Sequence, residues 1–528
     1  MPASIVAESW LMILLSFRKH SPDTYTGIKY NRLFGSGLII WLSILLCTAG
    51  YAKPYIQYNE EIKDCYRDII HLKIRDAEKK IKELKVSQRE NLAILHLENY
   101  IDFFHLFITE NKADYQARLP QKDARLSVLQ NVQLADAQLD FIKAEILLQW
   151  ALIQIKFDEK LAAGQDVYSA YKLLEANQKK YPGFKENNKS LSILHVLAES
   201  VPKWVRKLIG VKGSIQQGRI EIEQLVEYAI NDKSYFYRDE VAAIYTYILF
   251  YQFNDKEGAL AQFNRFSLSH TDHPLIAFLK ASIYQRAGKN DACLEVLNTL
   301  KSDAGQLPFY YLEFMKGRAY LNKQDVRAKN HLLTFVQKFN GQHFIKEAYQ
   351  KLAWYELSMN NDHEGYKNYM ANCLTRGKSL VDEDKQAEKE AKKGDTPVPF
   401  LLKSRLYYDG GYYNQALDVL LKNDKYPTQH ANSRLEYYYR LGRVYQAQSN
   451  ATKAIPCLKY VLTYGEAAHS YYAANAALQM GLMYETDQKW TSALHYFNKC
   501  LEIDSEEYKT SLHQKAKSGV QRVILKIK

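Results

Sequence analysis

Ala477-Leu-Gln-Met-Gly-Leu-Met-Tyr-Glu-Thr-Asp-Gln-Lys-Trp-Thr-Ser-Ala-Leu-His-Tyr-Phe-Asn-Lys-Cys-Leu-Glu-Ile-Asp-Ser505 reads as two short amphipathic segments joined by a polar turn. Gly481 anchors the first segment. Tyr484 follows three residues on, Ala493 twelve on and Phe497 sixteen on. Residues three or four apart share one face of a helix. A small residue in the middle of each segment lets two backbones approach, and a large apolar residue one turn on fills the gap. Asp487-Gln-Lys489 supplies the turn. The stretch therefore predicts a helical hairpin. Such a hairpin cannot hide its apolar faces alone and has to stack on a neighbour.

Neighbours with the same register lie upstream. They run through Gly442, Tyr445, Ala454 and Leu458, and through Ser404, Tyr407, Ala416 and Leu420. Further up come Gly317 with Tyr320 and Leu333, and Ala281 with Tyr284, Cys293 and Leu297. A degenerate copy uses Ala353, Gly365 and Tyr369. Polar turns recur at Gln448-Ser-Asn450, Asp409-Gly-Gly411 and Gly288-Lys-Asn290. Successive anchors stand 36, 36, 51, 38 and 39 residues apart. The long interval contains Gly377 to Pro399, with the run Asp382-Glu-Asp-Lys-Gln-Ala-Glu-Lys-Glu-Ala-Lys-Lys393. That run predicts an exposed charged helix and linker inserted between repeats.

These residues resemble the tetratricopeptide repeat family, whose period is about 34 residues. The copy at Ala477–Ser505 lacks only the family's terminal proline. The resemblance is good over residues 270–505 and weakens to a plain helical pattern over 59–270. One upstream hairpin fits, through Leu161, Ala170, Leu174 and the helix-ending Pro182. The resemblance implies an all-α chain of helical hairpins forming a right-handed superhelix, an α-solenoid. The expected organisation is a helical repeat-like region over 53–230, repeats over 231–376, the charged insert over 377–399, repeats over 400–505 and a capping helix over 506–528. Val201-Pro-Lys-Trp-Val-Arg-Lys-Leu-Ile-Gly-Val-Lys-Gly213 reads as a connector stopped by Gly210 and Gly213.

The N-terminus differs. Between Arg32 and Lys53 no residue is charged, and the apolar centre is Leu38-Ile-Ile-Trp-Leu-Ser-Ile-Leu-Leu46. Lys29 and Arg32 precede it, and Gly50-Tyr51-Ala52 follows with small residues where a signal peptidase cuts. A secretory signal peptide ending at Ala52 is the first reading. An uncleaved membrane anchor is the second, since about 20 apolar residues can span a bilayer. A lipoprotein at Cys47 is the third, disfavoured by Leu46 before it. Residues 1–27 make the leader long, as a mis-assigned start would. Either of the first two readings makes the chain an exported, periplasmic or envelope protein.

The 528 residues carry a formal charge of +12, with 25% of residues charged and 47% apolar. Lysines and arginines interleave with acids, as in Asp76-Ala-Glu-Lys-Lys-Ile-Lys-Glu-Leu-Lys85, and form no compact basic arm, so nucleic acid is not an expected partner. The six cysteines show no CxxC spacing and read as packing residues. Gly377-Lys378-Ser379 lacks the first glycine of a phosphate loop, since Asn372 stands there. No HExxH, GxGxxG or GxSxG motif is present. His270 and His273 fall in a loop ending at Pro274 and lack further ligands nearby. The expectation is no enzyme, no cofactor and no metal.

The first helix of each hairpin should line the concave face of such a stack. Residues one after the anchor are Arg318, Trp354, Arg405 and Arg443, and residues three before it are Phe314, Gln350, Leu401 and Tyr439. Three equivalent arginines suggest a groove for an acidic or carboxylate-bearing segment of another protein, and arginine also pairs well with aromatic rings. The plain alternative pairs each arginine with a glutamate on the next helix. The function that follows is a scaffold or adaptor of the cell envelope. The alternative is a carbohydrate- or nutrient-binding envelope protein, for which the 41 tyrosines would offer stacking surfaces.

Overall fold

The computed structural model describes residues 53–200, 210–301, 303, 305–429, 431–466, 471–505 and 509–527. The leader reading over 1–52 and most of the 201–213 connector lie outside them. The chain forms two compact units, one of residues up to Ile276 with Lys301–Pro308, the other of Ala277–Leu300 with Phe309–Lys528. Among the described residues both are all-α.

The first unit contains α1 (Glu60–Ile70), α2 (Ile74–Ser87), α3 (Ala93–Thr109), α4 (Lys112–Asn131), α5 (Ala137–Lys156), α6 (Lys160–Lys180), α7 (Asn187–Ser200), α8 (Ile215–Asn231), α9 (Arg238–Tyr251) and α10 (Lys256–Arg265). Consecutive helices pack in pairs, α5 on α6 and α7 on α8 most extensively. Alanine, leucine and isoleucine surround α5 on every side, and a helix apolar all round belongs in a core. The hairpin read from Leu161, Ala170 and Leu174 is corrected here. All three lie on the single helix α6, and Leu161 is 73% exposed. The hairpin is α5–α6, turning at Asp158 in the left-handed region. Ala170 and Leu174 do sit in its core.

The second unit contains α11 (Pro274–Arg286, from Ala277 onward), α12 (Asn290–Thr299), α13 (Tyr311–Asn322), α14 (Arg327–Lys338), α15 (Ile345–Asn360), α16 (His363–Thr375), α17 (Asp382–Lys393), α18 (Pro399–Asp409), α19 (Tyr413–Leu421), α20 (Ala431–Ala447), α21 (Ala451–Gly465), α22 (Tyr471–Thr486), α23 (Trp490–Glu502) and α24 (Lys509–Ile527). The hairpins are α13–α14, α15–α16, α18–α19, α20–α21 and α22–α23, each stacked on the next. A left-handed residue ends each first helix: Gln324, Asn361, Gly411, Ser449 and Gln488. Gly411 admits nothing larger, because a Cβ there would fall on the Gly288 carbonyl oxygen.

The anchor spacing has the expected physical meaning. A Cβ on Gly481 would stand 2.6 Å from the Phe497 ring, and one on Gly442 2.9 Å from Leu458. Gly317 faces Leu332 instead of Leu333, because α14 begins with a tight Ala328 N–H to Asp325 bond that draws it one residue earlier. In α15–α16 the shift is opposite. Helix α15 continues to Asn360, and Tyr366 and Met370 fill the core in place of Gly365 and Tyr369.

The charged insert is helical but not simply exposed. Asp384 of α17 is fully buried and accepts the N–H groups of Phe344 at 2.7 Å and Glu347 at 3.0 Å. It thereby caps the N-terminus of α15 from outside that helix. Burial raises its carboxyl well above the usual range, against the pull of those two N–H groups. Helix α24 seats Leu512, Ala516 and Val523 on the last hairpin, as a cap should. Its far end keeps Leu525 77% exposed.

Candidate partner-binding row

The first helices of the hairpins in the second unit carry a row of cations laid on aromatic rings. Near its start, Arg318 lies 3.9 Å from Glu347, which also takes Lys351 at 3.4 Å. Burial works to raise the Glu347 carboxyl, yet Arg318 and Lys351 hold it below its ordinary value. The Lys351 ammonium is depressed by burial, with Arg318 and Arg405 repelling it. Lys351 rides 3.7 Å over the Trp354 ring, and Arg405 approaches the same ring at 4.6 Å. Arg405 is 38% exposed and sits 3.7 Å from Asp409 of its own helix.

The row continues through tyrosines. Arg443 lies 5.2 Å over Tyr408, donates to the Tyr408 hydroxyl at 2.7 Å and to the Tyr439 hydroxyl at 3.2 Å. Its Nε is buried without a hydrogen-bond partner. Asn475 donates to Tyr439 at 2.6 Å, and Gln479 donates to Asn475 at 2.9 Å. One turn away Arg440 is paired with Glu436 through Nε at 2.8 Å. The plain ion-pair alternative therefore describes Arg318. Arg405 has an acid on its own helix, and Arg443 is held by tyrosine hydroxyls.

The eight residues singled out in sequence separate by position. Phe314 and Leu401 are fully buried between helices. Phe314 packs on Phe335 at 5.1 Å, and Leu401 joins Ala416 and Leu420. Gln350 and Tyr439 are also buried, though their polar ends join the row. Trp354 is 3% exposed because α17 covers it: its indole N–H donates to Glu390 at 2.8 Å. Gln350 donates to Glu390 at 2.6 Å, and the Tyr366 hydroxyl donates to the same carboxylate at 3.0 Å. Arg405 is partly exposed and Arg443 half-buried. Lys351, Tyr408, Arg440 and Asn475 also belong to the row. Glu390 supports it, and none of these five followed from the anchor spacing.

Glu390 thus holds the insert helix to the row. Glu390→Ala leaves three donors without their acceptor and is expected to cost about 2–3 kcal/mol. Limited proteolysis after Lys392 and Lys393 should accelerate, while Glu390→Gln, which keeps one acceptor, should fall between. Equal cleavage of wild type and Glu390→Ala would show that α17 is held by something else.

Two further features stand among the described residues. Between α16 and α17 a shallow cavity of about 200 Å³ is lined by Met370, Leu374, Glu390 and Asp395. In the first unit Lys189 is buried with its three donors taken by Glu145, Glu240 and Tyr100. Among the described residues no group of three His, Cys, Asp or Glu side chains stands where it could hold a metal ion, and no helix is long and apolar enough to cross a membrane. The thiols of Cys65, Cys293 and Cys373 are pushed up to about 12 by burial, as packing residues would be.

No family model matches the chain, and no curated protein matches it. Among solved structures, one titled "Structure of Naa15/Naa10 bound to HypK-THB" is similar at 11% identity, covering 88% of this chain and 79% of that chain. Its TM-score of 0.20 is too low to place one chain's helices on the other's. The hairpins themselves, with small anchors facing large residues across a left-handed turn, make this an all-α helical-repeat chain of tetratricopeptide-like form.

Proposed function

We propose that this chain is a non-catalytic scaffold that holds an acidic segment of a partner protein along the row from Arg405 to Asn475. The observation that carries the reading is the seating of Arg405 and Arg443 on Trp354 and Tyr408, 4.6 Å and 5.2 Å from the ring centroids. Guanidinium groups fixed against rings lose little freedom on binding, and they present planar donors to a carboxylate. Placement of the scaffold in the cell envelope is part of the proposal and rests on the apolar stretch before Ala52 alone.

A second reading has its own observation. Tyr464 is 62% exposed and lies 4.5 Å from Tyr460, which lies 4.4 Å from Tyr438, a ladder of rings on which a sugar could stack. Affinity capture with the full chain as bait separates the two. The scaffold reading expects one protein held by wild type and weakened about tenfold or more in Arg405→Ala/Arg443→Gln, since exposed hydrogen-bonded charge contacts of this kind carry 1.4 kcal/mol or more. No protein retained, with heat released on titrating a glycan, would replace it by the second reading.

A further inference from the structure

Helix α17 is unlike the helices it lies on. It holds no apolar side chain larger than alanine, and of its residues Asp384 and Ala387 are the buried ones. It packs on α15 and α16, where it covers three buried side chains with polar ends, Gln350, Trp354 and Tyr366. All three donate to the one carboxylate of Glu390, at 2.6, 2.8 and 3.0 Å. The Trp354 ring also carries Lys351 at 3.7 Å and Arg405 at 4.6 Å. At the other end of α17, Asp384 accepts the Phe344 and Glu347 N–H groups. The contact with α16 is incomplete. A crevice of about 200 Å³ runs beside Glu390, Ala391 and Gly394, with Met370 and the 46% exposed Leu374 on its far wall. Beyond it, residues 394–398 form no helix, and Gly394 stands in open space.

We propose that Gln350, Trp354 and Tyr366 form a seat for an acidic helix, filled in the free chain by α17 and taken by a partner's helix when the C-terminal half of α17 lifts away. Segments that bury few apolar side chains open locally at low cost, and α17 is held chiefly by two carboxylates. Asp384, fully buried, keeps the first turn in place, and Glu390 holds the last turns. Lifting that end uncovers three donors that need an acceptor, which an apolar partner does not supply. The chemistry of the occupant is read from α17 itself. Asp384, Ala387 and Glu390 put a carboxylate, a small residue and a second carboxylate at three-residue steps along one strip. The alanine lets the helix lie close, and the second carboxylate reaches the donors. Acids further along a partner's helix would stand beside Arg405, which shares the Trp354 ring with the seat and continues it into the row. The inference rests on the scaffold reading and names the class of segment held, with α17 as its internal competitor.

The test adds a fluorescein-labelled peptide of residues 379–396 to the full chain and reads fluorescence anisotropy. In wild type the tethered α17 competes at an effective concentration on the order of millimolar. Glu390→Ala weakens that competitor, so the variant should bind the peptide about tenfold or more tightly than wild type does. A peptide that itself carries Glu390→Gln should bind the variant about tenfold more weakly than the unchanged peptide. Hydrogen exchange over residues 386–393 should be faster than over α15 in wild type, and faster still in Glu390→Ala, with α15 unchanged. If Glu390→Ala loses helix content by circular dichroism, Glu390→Gln takes its place and the same order of affinities is expected. No peptide bound by the variant, equal binding by variant and wild type, indifference to the peptide's own Glu390, or exchange over 386–393 as slow as over α15 would each overturn the inference. Affinity capture distinguishes its failure from that of the scaffold reading. A protein retained equally by wild type and variant, with no peptide bound, overturns the seat and leaves the scaffold. Peptide bound by the variant, with no protein retained by either form, supports the seat and removes the scaffold.

Discussion

Lys189→Met is expected to lower the stability of the first unit by about 3–5 kcal/mol, the usual result of removing one partner from a buried ion pair. Lys189 is 2% exposed and donates at 2.6 Å to Glu145 and at 2.6 Å to Glu240. Burial disfavours its charge, but the two carboxylates outweigh it and hold the ammonium above the usual lysine range. The Tyr237 ring faces it at 4.5 Å. Tyr66 and Tyr100 donate to the second oxygen of Glu240, and Ser190 to the second oxygen of Glu145. Without the ammonium, the buried Glu145 carboxylate and the partly buried Glu240 carboxylate keep only hydroxyls for partners. Urea melts of the full chain, followed by circular dichroism, should show an early transition in the variant. The triple change Lys189→Met/Glu145→Gln/Glu240→Gln should recover most of the loss, because no charge is then left buried. A single variant as stable as wild type would mean that water reaches the site and that the network is not closed.

This network also marks where sequence reading stops. Glu145, Lys189 and Glu240 are far apart in the chain, and each looks like an ordinary charged helix residue. The hairpins of the second unit were legible because their packing is local: Gly481 and Phe497 meet across one turn. Offsets of one residue, as at Leu332 and Met370, were not legible, because they depend on how tightly a helix starts or how late its neighbour ends. The row illustrates both sides. A residue three before the anchor lies only about 60° round the helix from it, so Phe314 and Leu401 share the anchor's buried face. A residue one after lies about 100° away, which leaves Arg405 and Arg443 at the edge of the contact. Trp354 obeys the same rule and is buried for a different reason, the arrival of α17. Acidic residues in a run read as solvated, yet Asp384 and Glu390 point inward to cap a helix and accept an indole. Asp384, Ala387 and Glu390 follow one another at three-residue steps along one strip of the insert helix, and that was the available signal.

Acid should destabilise the first unit from about pH 6.5 downward, through two buried histidines. His273 is 5% exposed, its ring nitrogens have no hydrogen-bond partner, and the His71 ring lies 4.3 Å away. Burial, with repulsion from His71, holds it down to about 3. His96 is fully buried, accepts or donates one bond with Tyr58 at 2.8 Å, and is also depressed well below its ordinary value, by burial and then by Lys189. The unfolded chain takes up these protons near pH 6.5. The folded chain resists them, so stability is full above pH 6.5 and falls as pH drops toward the folded values. The slope is about 1.4 kcal/mol per pH unit for each histidine. His273 alone then removes about 2 kcal/mol between pH 6.5 and 5, and about 4 kcal/mol by pH 3. Carboxylates held low in the first unit, such as Asp64 and Glu175, lose their contribution only as pH falls through the ordinary carboxylate range. Asp166, Glu186 and Asp239 are raised by burial and oppose the decline, so the histidine contribution is read from the difference between wild type and His273→Leu. Urea melts of the full chain at pH 6.5, 5.75 and 5 should show the decline. His273→Leu, which fills the same space without a titrating group, should flatten it by one proton's worth. Parallel slopes in wild type and variant would mean that His273 is solvated in the folded chain, and the buried face it shares with His71 would then have to open without global unfolding.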